Sequence, residues 1–96
     1  MNIDDLELAA RELYIKYDLQ SDRPSWFEIV QKGRYKEKQV RINLLGYTAW
    51  GSTVDVFAME DTYEKAYEEI LPKLDKELAS ISWTMKERKR KREQNG

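Results

Sequence analysis

The chain has 96 residues, which is enough for one domain with one small core. Charged residues make up 36% of it and hydrophobic residues 41%, a balance that excludes a membrane span and a wholly disordered chain. Cysteine and histidine are both absent. The chain therefore has no disulfide framework, no thiolate nucleophile, no sulfur-type zinc site and no imidazole base. We expect a protein that is not an enzyme and that uses no cofactor and no metal.

The first segment of the chain predicts an amphipathic helix over residues 2–17. Asn2 is suited to cap this helix, and Asp5 three positions later completes a weak capping box. The acidic start contains no apolar stretch of the kind a signal peptide needs, so we expect a cytoplasmic protein. The apolar stripe of the helix has spacings of three and four residues and consists of Ile3, Leu6, Ala10, Leu13 and Tyr17.

Alternating apolar and polar residues predict three strands, over 26–31, 39–45 and 52–59. A charged connection at 32–38 and a loop at 46–51 are short, so neighbouring strands are expected to run antiparallel. The outward positions carry mixed charges, which is typical of a solvated sheet face. These positions are Glu28, Arg41, Asn43, Thr53, Asp55 and Phe57.

A second helix is predicted over residues 61–81, with Asp61 as its cap. Pro72 lies inside the helical pattern and predicts a kink or break near residues 70–71, because proline lacks the backbone donor. Four tyrosines are expected at the rims of the two helical stripes with their hydroxyls in water, namely Tyr14, Tyr17, Tyr63 and Tyr67. The second stripe consists of Ala66, Tyr67, Ile70, Leu74, Leu78 and Ile81.

These elements predict an α+β domain with the order α-β-β-β-α. Its three-stranded antiparallel sheet is covered on one face by the two helices. Residues 1–83 form the compact domain in this interpretation. Residues 84–96 form a basic flexible tail, which is either disordered or a fraying extension of the last helix.

The end of the chain concentrates positive charge. Residues 86–96 carry a net charge of +4, whereas the preceding residues carry −5. Such a run can neutralise nucleic-acid phosphates, dock on an acidic protein patch, or simply be a solvated terminus that complements the helix dipole. Its basic residues are Lys86, Arg88, Lys89, Arg90, Lys91 and Arg92.

The loop at residues 46–51 holds two large aromatic residues and no charge. Tyr47 and Trp50 are residue types that anchor interfaces. The alternative is that Trp50 folds back over the edge of the core. We keep Tyr47 and Trp50, together with the six basic residues of the tail, as the candidate binding residues.

The order of the elements resembles the double-stranded RNA-binding domain. That family binds phosphates through lysines at the start of its last helix, where this chain has the acidic stretch 60–65. Its first hairpin also contains a Gly-Pro-x-His element, of which only Gly33 is present here. The resemblance therefore implies the topology and no RNA-binding residue.

The opening residues Met1–Leu6 and the small size also resemble phage-encoded anti-CRISPR proteins that inhibit Cas9. This resemblance implies a compact, non-catalytic protein that occupies a protein or ribonucleoprotein target. An accessory nucleic-acid-binding protein, acting through its basic tail, is the alternative. Neither interpretation involves a membrane, and both leave the oligomeric state open.

Overall fold

The computed structural model describes residues 1–21, 26–35 and 39–95. Its elements are two helices, α1 and α2, and three strands, β1 to β3. They span Ile3–Lys16 (α1), Phe27–Tyr35 (β1), Gln39–Tyr47 (β2), Thr53–Glu60 (β3) and Tyr63–Asn95 (α2). The predicted α+β class and the order α-β-β-β-α are confirmed.

The sheet is antiparallel, with β2 between β1 and β3. Leu44 of β2 pairs with Ile29 on one side and Val56 on the other, and all three point to the same face. Both helices pack on that face, because their buried residues join those of the strands in one core. The fully or almost fully buried apolar residues are Leu6, Ala10, Tyr14, Leu19, Val40, Ile42, Leu44, Val54, Val56, Ala58, Ala66, Tyr67, Ile70, Leu74 and Leu78.

The start of α1 has the predicted capping box. The Asp5 backbone N–H donates to Asn2 Oδ1 at 2.8 Å, and the Asn2 N–H donates to Asp5 Oδ2 at 3.2 Å. Two of the backbone donors that a helix start leaves open are thereby satisfied. The local sequence alone therefore specifies the residue at which α1 begins.

The expectation that the tyrosine hydroxyls lie in water is wrong for Tyr14 and Tyr67, which are buried. Tyr14 is completely buried, and the hydroxyls of the other three bond within the protein. Tyr17 donates to Asp75, Tyr67 accepts from the amide of Gln31, and Tyr63 donates to the Lys32 carbonyl oxygen. The predicted stripes were too narrow, because the helices meet the sheet and each other over a wider face.

The start of α2 differs by one residue from the prediction. The hydroxyl of Thr62 accepts a hydrogen bond from the Lys65 N–H at 3.2 Å, so Thr62 is the cap. Asp61 instead forms an ion pair with the Lys65 ammonium at 3.1 Å. The hydrogen bond from the Lys65 ammonium and its positive charge hold the pKa of Asp61 below its usual range.

Helix α2 continues without interruption through Pro72, so the break predicted there does not occur. Pro72 is exposed, whereas Ile70 and Leu74 on either side are buried in the core. Packing of these neighbours holds the helix together despite the missing backbone donor. The helix also crosses the proposed domain boundary at residues 83–84, and residues 84–95 are its last turns.

The strands β1 and β2 are longer than predicted. β1 continues to Tyr35, and residues 36–38 of the expected connection lie outside the described residues.

β2 continues through Gly46, which therefore does not begin the turn. A Cβ at Gly46 would lie 2.4 Å from the Trp26 carbonyl oxygen and 2.7 Å from the Phe27 Cβ. The glycine thus permits a close approach of β1 to β2.

Side chains of α2 reach both edges of the sheet. The Lys73 ammonium donates to the carbonyl oxygen of Phe57 on β3 at 3.1 Å. At the other edge, the Tyr63 hydroxyl donates to the carbonyl oxygen of Lys32 on β1, also at 3.1 Å. Covering an edge with a lysine or with a helix side chain is a common way to keep other strands away.

Candidate functional site

Trp50 lies on a tight turn between β2 and β3. The hydroxyl of Thr48 accepts hydrogen bonds from the N–H groups of Trp50, at 3.2 Å, and of Ser52, at 3.3 Å. The Gly51 N–H donates to the Thr48 carbonyl oxygen at 3.0 Å. Gly51 has a φ of 84°, which favours glycine. These bonds fix the backbone that carries Trp50, while its side chain stays 60% exposed.

The turn is attached to the end of α1. After the helix ends, Asp18 adopts a φ of 56° and redirects the chain, a conformation that aspartate tolerates better than most residues. Leu19 is then buried, and its carbonyl oxygen accepts a hydrogen bond from the Ala49 N–H at 3.0 Å. Trp50 is therefore held beside the C-terminal end of α1.

Helix α2 passes the same end of α1 and extends beyond it. The Ser82 hydroxyl donates to the Tyr17 carbonyl oxygen at 3.4 Å. Among the described residues of α2, Ser82 is the last that is buried. The molecule measures 56 × 24 × 17 Å, because the last turns of α2 project past the body. We call residues 86–93 the basic arm.

The arm, the turn and the end of α1 enclose a groove. Its cavity has a volume of about 630 Å³, which is within the size range of small-molecule and nucleotide pockets. Leu19 and Met85 supply apolar surface, and Trp50 supplies an aromatic face. The lining residues are Tyr17, Asp18, Leu19, Trp50, Ser82, Met85, Lys86, Arg88, Lys89, Arg92 and Glu93.

The groove brings together two features that are far apart in the sequence. Trp50 of the aromatic loop lines the same groove as four of the six predicted cations of the tail, which are Lys86, Arg88, Lys89 and Arg92. Helix geometry accounts for three of these cations, since Arg88, Lys89 and Arg92 share one face with Met85. That face continues the core stripe of α2, which changes from apolar to basic after Met85.

Three of the predicted binding residues do not line the groove. Arg90 and Lys91 lie elsewhere on the arm, and the Arg90 guanidinium pairs with Glu87 at 3.2 Å. Tyr47 is half-buried at the end of β2, where it pairs with Thr53 and its N–H donates to the Trp26 carbonyl oxygen at 2.8 Å. Tyr47 and Trp50 therefore do not form one aromatic patch.

Sequence reasoning missed the apolar part of the groove. Tyr17 belongs to the predicted stripe of the first helix, whereas Leu19 and Met85 lie outside both predicted helices. The one sequence signal for the site was the continued spacing of Leu78, Ser82 and Met85 into Lys89. That spacing indicates a helix whose inward face turns basic at its end.

The electrostatics of the groove favour an anion. Its lining holds four cationic side chains against the two carboxylates of Asp18 and Glu93. Cations flanking an exposed tryptophan form a surface that attracts phosphates and offers a stacking face to a base.

Other classes of site have no support in the described part of the chain. There, no group of three or more acidic residues comes close enough to hold a metal ion. None of the helices that the structure describes is both long and apolar enough to cross a membrane. Comparisons of the chain with protein-family models, with curated proteins and with solved structures find no match.

Proposed function

We propose that this protein is a non-catalytic binding protein whose groove engages single-stranded nucleic acid, presented by a nucleoprotein partner. The observation that carries the proposal is that Trp50 lines one groove together with Lys86, Arg88, Lys89 and Arg92. A solvated basic terminus would give no reason for an exposed tryptophan to share a groove with it.

Each component of the groove matches a part of a nucleotide. The arm cations neutralise phosphates, which gives affinity that falls as salt rises. The indole of Trp50 stacks on a base, and a base offers its face only where it is unpaired. Single strands are therefore favoured over duplexes, and sequence preference is expected to be slight because every base has such a face.

The charge distribution supports a nucleoprotein as the partner. The arm is basic, whereas residues 1–85 carry a net charge of −5. A molecule with this asymmetry is oriented on approach, with the arm toward nucleic acid and the body toward basic protein surface. In the form implied by the resemblance to anti-CRISPR proteins, this binding inhibits the partner.

The test measures binding of a fluorescein-labelled 20-nucleotide RNA or DNA by fluorescence anisotropy. In the variant K89A/R92A both cations removed belong to the groove. In the matched control R90A/K91A the same charge is removed from the same helix, outside the groove. We expect K89A/R92A to weaken binding about tenfold or more and the control to weaken it much less.

A second pair of variants tests the tryptophan. Trp50→Ala is expected to weaken single-strand binding about tenfold, which corresponds to the loss of one stacked base. Trp83 is 66% exposed on α2 and outside the groove, so Trp83→Ala is the matched control and should bind as the parent does. Equal losses in the two charge variants would mean that only net charge acts, and equal losses in the two tryptophan variants would mean that Trp50 stacks on no base. No binding at low salt would reject the proposal.

The inhibitory form has its own assay. We expect the parent protein to slow target-DNA cleavage by a guide-loaded Cas9-type nuclease, and K89A/R92A to slow it less. Nucleic-acid binding without any such inhibition would leave the groove as the site of an accessory nucleic-acid-binding protein.

A further inference from the structure

One face of the sheet is left uncovered by the helices. We define the outer sheet face as the side chains of Glu28, Val30, Lys32, Arg41, Asn43, Leu45, Asp55, Phe57 and Met59, which alternate with the core residues of the three strands. Leu45 and Phe57 are 40% and 42% exposed there.

Charges on the outer sheet face are separated along the strand direction. The pairing register sets Lys32 and Arg41 beside Met59 in one row across the sheet. Two rows away, Glu28 and Asp55 flank Leu45 in the same manner. The middle row between them contains Val30, Asn43 and Phe57. One end of the face is thus basic, the other end is acidic, and the centre is partly apolar.

These charges form no ion pairs with one another or with other described side chains. Among the residues that the structure describes, no ion pair involves Lys32, Arg41, Glu28 or Asp55. Lys32 and Arg41 lie directly opposite each other, which is unfavourable for like charges. Arg41 is instead held by a 2.8 Å hydrogen bond from its Nε to Asn43 Oδ1, with its guanidinium 4.5 Å from the Phe57 ring centroid.

We propose that two copies of this chain associate through their outer sheet faces. They are related by a two-fold axis that lies between the two faces, runs across the strands and passes directly above the middle row. This operation brings the basic end of each face over the acidic end of the other. Lys32 then lies opposite Glu28 of the second copy. Arg41 lies over Leu45 of the second copy, between its Glu28 and Asp55. Val30 and Phe57 meet their own counterparts.

The charge pattern selects this axis over the other simple arrangement. A two-fold axis parallel to the strands would set Glu28 opposite Asp55 of the second copy, so that acid faces acid. Two-fold interfaces use the same patch on both copies, and like charges in such contacts suppress the wrong arrangement. Two sheets facing each other at about 10 Å, with strands nearly aligned, are an ordinary packing.

The dimer is expected to be weak. Only two large apolar side chains of the outer sheet face are markedly exposed, and the area that a three-stranded face offers is at the low end for specific interfaces. Association should therefore depend on protein concentration and should weaken with salt, because its selectivity comes from charge.

The test is sedimentation equilibrium of the full chain up to about 1 mM. The parent protein is expected to dimerise. Lys32→Glu and Glu28→Lys each place like charges opposite each other and should raise the dissociation constant about tenfold or more. An equimolar mixture of the two variants should dimerise again, because glutamate at 32 in one chain faces lysine at 28 in the other.

Controls keep this result specific. Lys76 is exposed on α2, away from the outer sheet face, and Lys76→Glu matches the charge change of Lys32→Glu; it should dimerise as the parent does. Circular dichroism melting curves establish that each variant is folded. A parent chain that is monomeric at every concentration would overturn the proposal. So would single variants that dimerise like the parent, or a mixture that stays monomeric.

Discussion

The hydroxyl of Tyr14 faces Gly46 so closely that a Cβ on Gly46 would lie 2.9 Å from it. The same Cβ would lie even closer to the Phe27 Cβ of the neighbouring strand β1 and to the carbonyl oxygen of Trp26, which precedes that strand. The ring of Tyr14 stacks on Phe27 with centroids 5.6 Å apart. Helix α1 is therefore fitted to the one place where β2 has no side chain.

Gly46→Ala should destabilise the protein by about 2–3 kcal/mol, because the added methyl group meets backbone atoms that cannot turn away. The measurement is the urea unfolding midpoint, with Gly33→Ala as the control. A Cβ at Gly33 meets no described atom within 4 Å, so that variant should lose much less. Equal losses would show that the cost arises from the glycine backbone and not from the contact with β1.

Tyr14→Phe should leave the protein as stable as before at neutral pH, or slightly more stable. The Tyr14 hydroxyl is buried and has no hydrogen-bond partner among the described residues, so its removal gives up no bond and avoids a desolvation cost of about 1–3 kcal/mol. A loss above about 1 kcal/mol would instead reveal a bonded hydroxyl.

The burial of Tyr14 also predicts that the stability of the parent protein depends on pH. Burial raises the pKa of Tyr14 from 10.0 to about 12, because the phenolate is poorly solvated inside. The neutral folded form is thus favoured below pH 10. Above pH 10, Tyr14 loses its hydroxyl proton more readily in the unfolded chain than in the folded protein. The free energy of unfolding therefore falls until the pH reaches the pKa of Tyr14 in the folded protein. The loss between pH 10 and about 12 is on the order of 2–3 kcal/mol.

Comparison of the two proteins isolates this effect from other titrations. We expect the Tm of the parent to fall more steeply between pH 9.5 and 11.5 than that of Tyr14→Phe. Parallel curves would mean that Tyr14 ionises as freely in the folded state as in the unfolded chain.

Pro72→Ala should stabilise the protein by about 1–3 kcal/mol. The exposed Pro72 lies inside α2, where proline removes a backbone donor and costs about 3 kcal/mol relative to alanine. Part of the gain is offset because proline also restricts the unfolded chain. Chemical denaturation measures the change, and a destabilised variant would show that the helix geometry at this point depends on proline.

Deletion of residues 86–96 should change the free energy of unfolding by less than about 1 kcal/mol, the size of a helix-end charge effect. None of the described residues of this segment is buried. The same deletion should abolish salt-sensitive binding of single-stranded nucleic acid. A fall in Tm of more than about 10 °C, a large shift for a domain of this size, would show that the arm is part of the folded core.

The sequence predicts local features of this fold well. Asn2 and Asp5 specify the start of α1 through contacts three residues apart, and alternation in β3 separates core from surface. Both depend on neighbours along the chain, and binary patterning captures such dependence. In β2 the alternation is broken by Asn43, which is buried although it lies at an outward position. Gly46 shows the limit of this reasoning. Glycine punctuates a turn in most sequences, whereas here it makes room for Tyr14, which is distant in sequence.

Long-range packing explains the other differences. The continuity of α2 at Pro72 depends on Ile70 and Leu74 finding partners in the sheet, and propensity alone does not contain that information. The groove is likewise a product of tertiary structure. The sequence identified Trp50 and the basic residues separately, but only the position of α2 beside the β2–β3 turn brings Trp50 to Lys89.

Two contacts of α2 with the sheet edges also bear on aggregation. Lys73 donates to the main-chain oxygen of Phe57, and Tyr63 donates to that of Lys32. At each rim of the sheet, one acceptor that an incoming strand would use is already taken by a side chain of α2. Amyloid-type growth requires such a rim as its template. A strand that adds at either rim would first have to displace that side chain, so the two contacts disfavour the edge-to-edge growth that leads to fibrils.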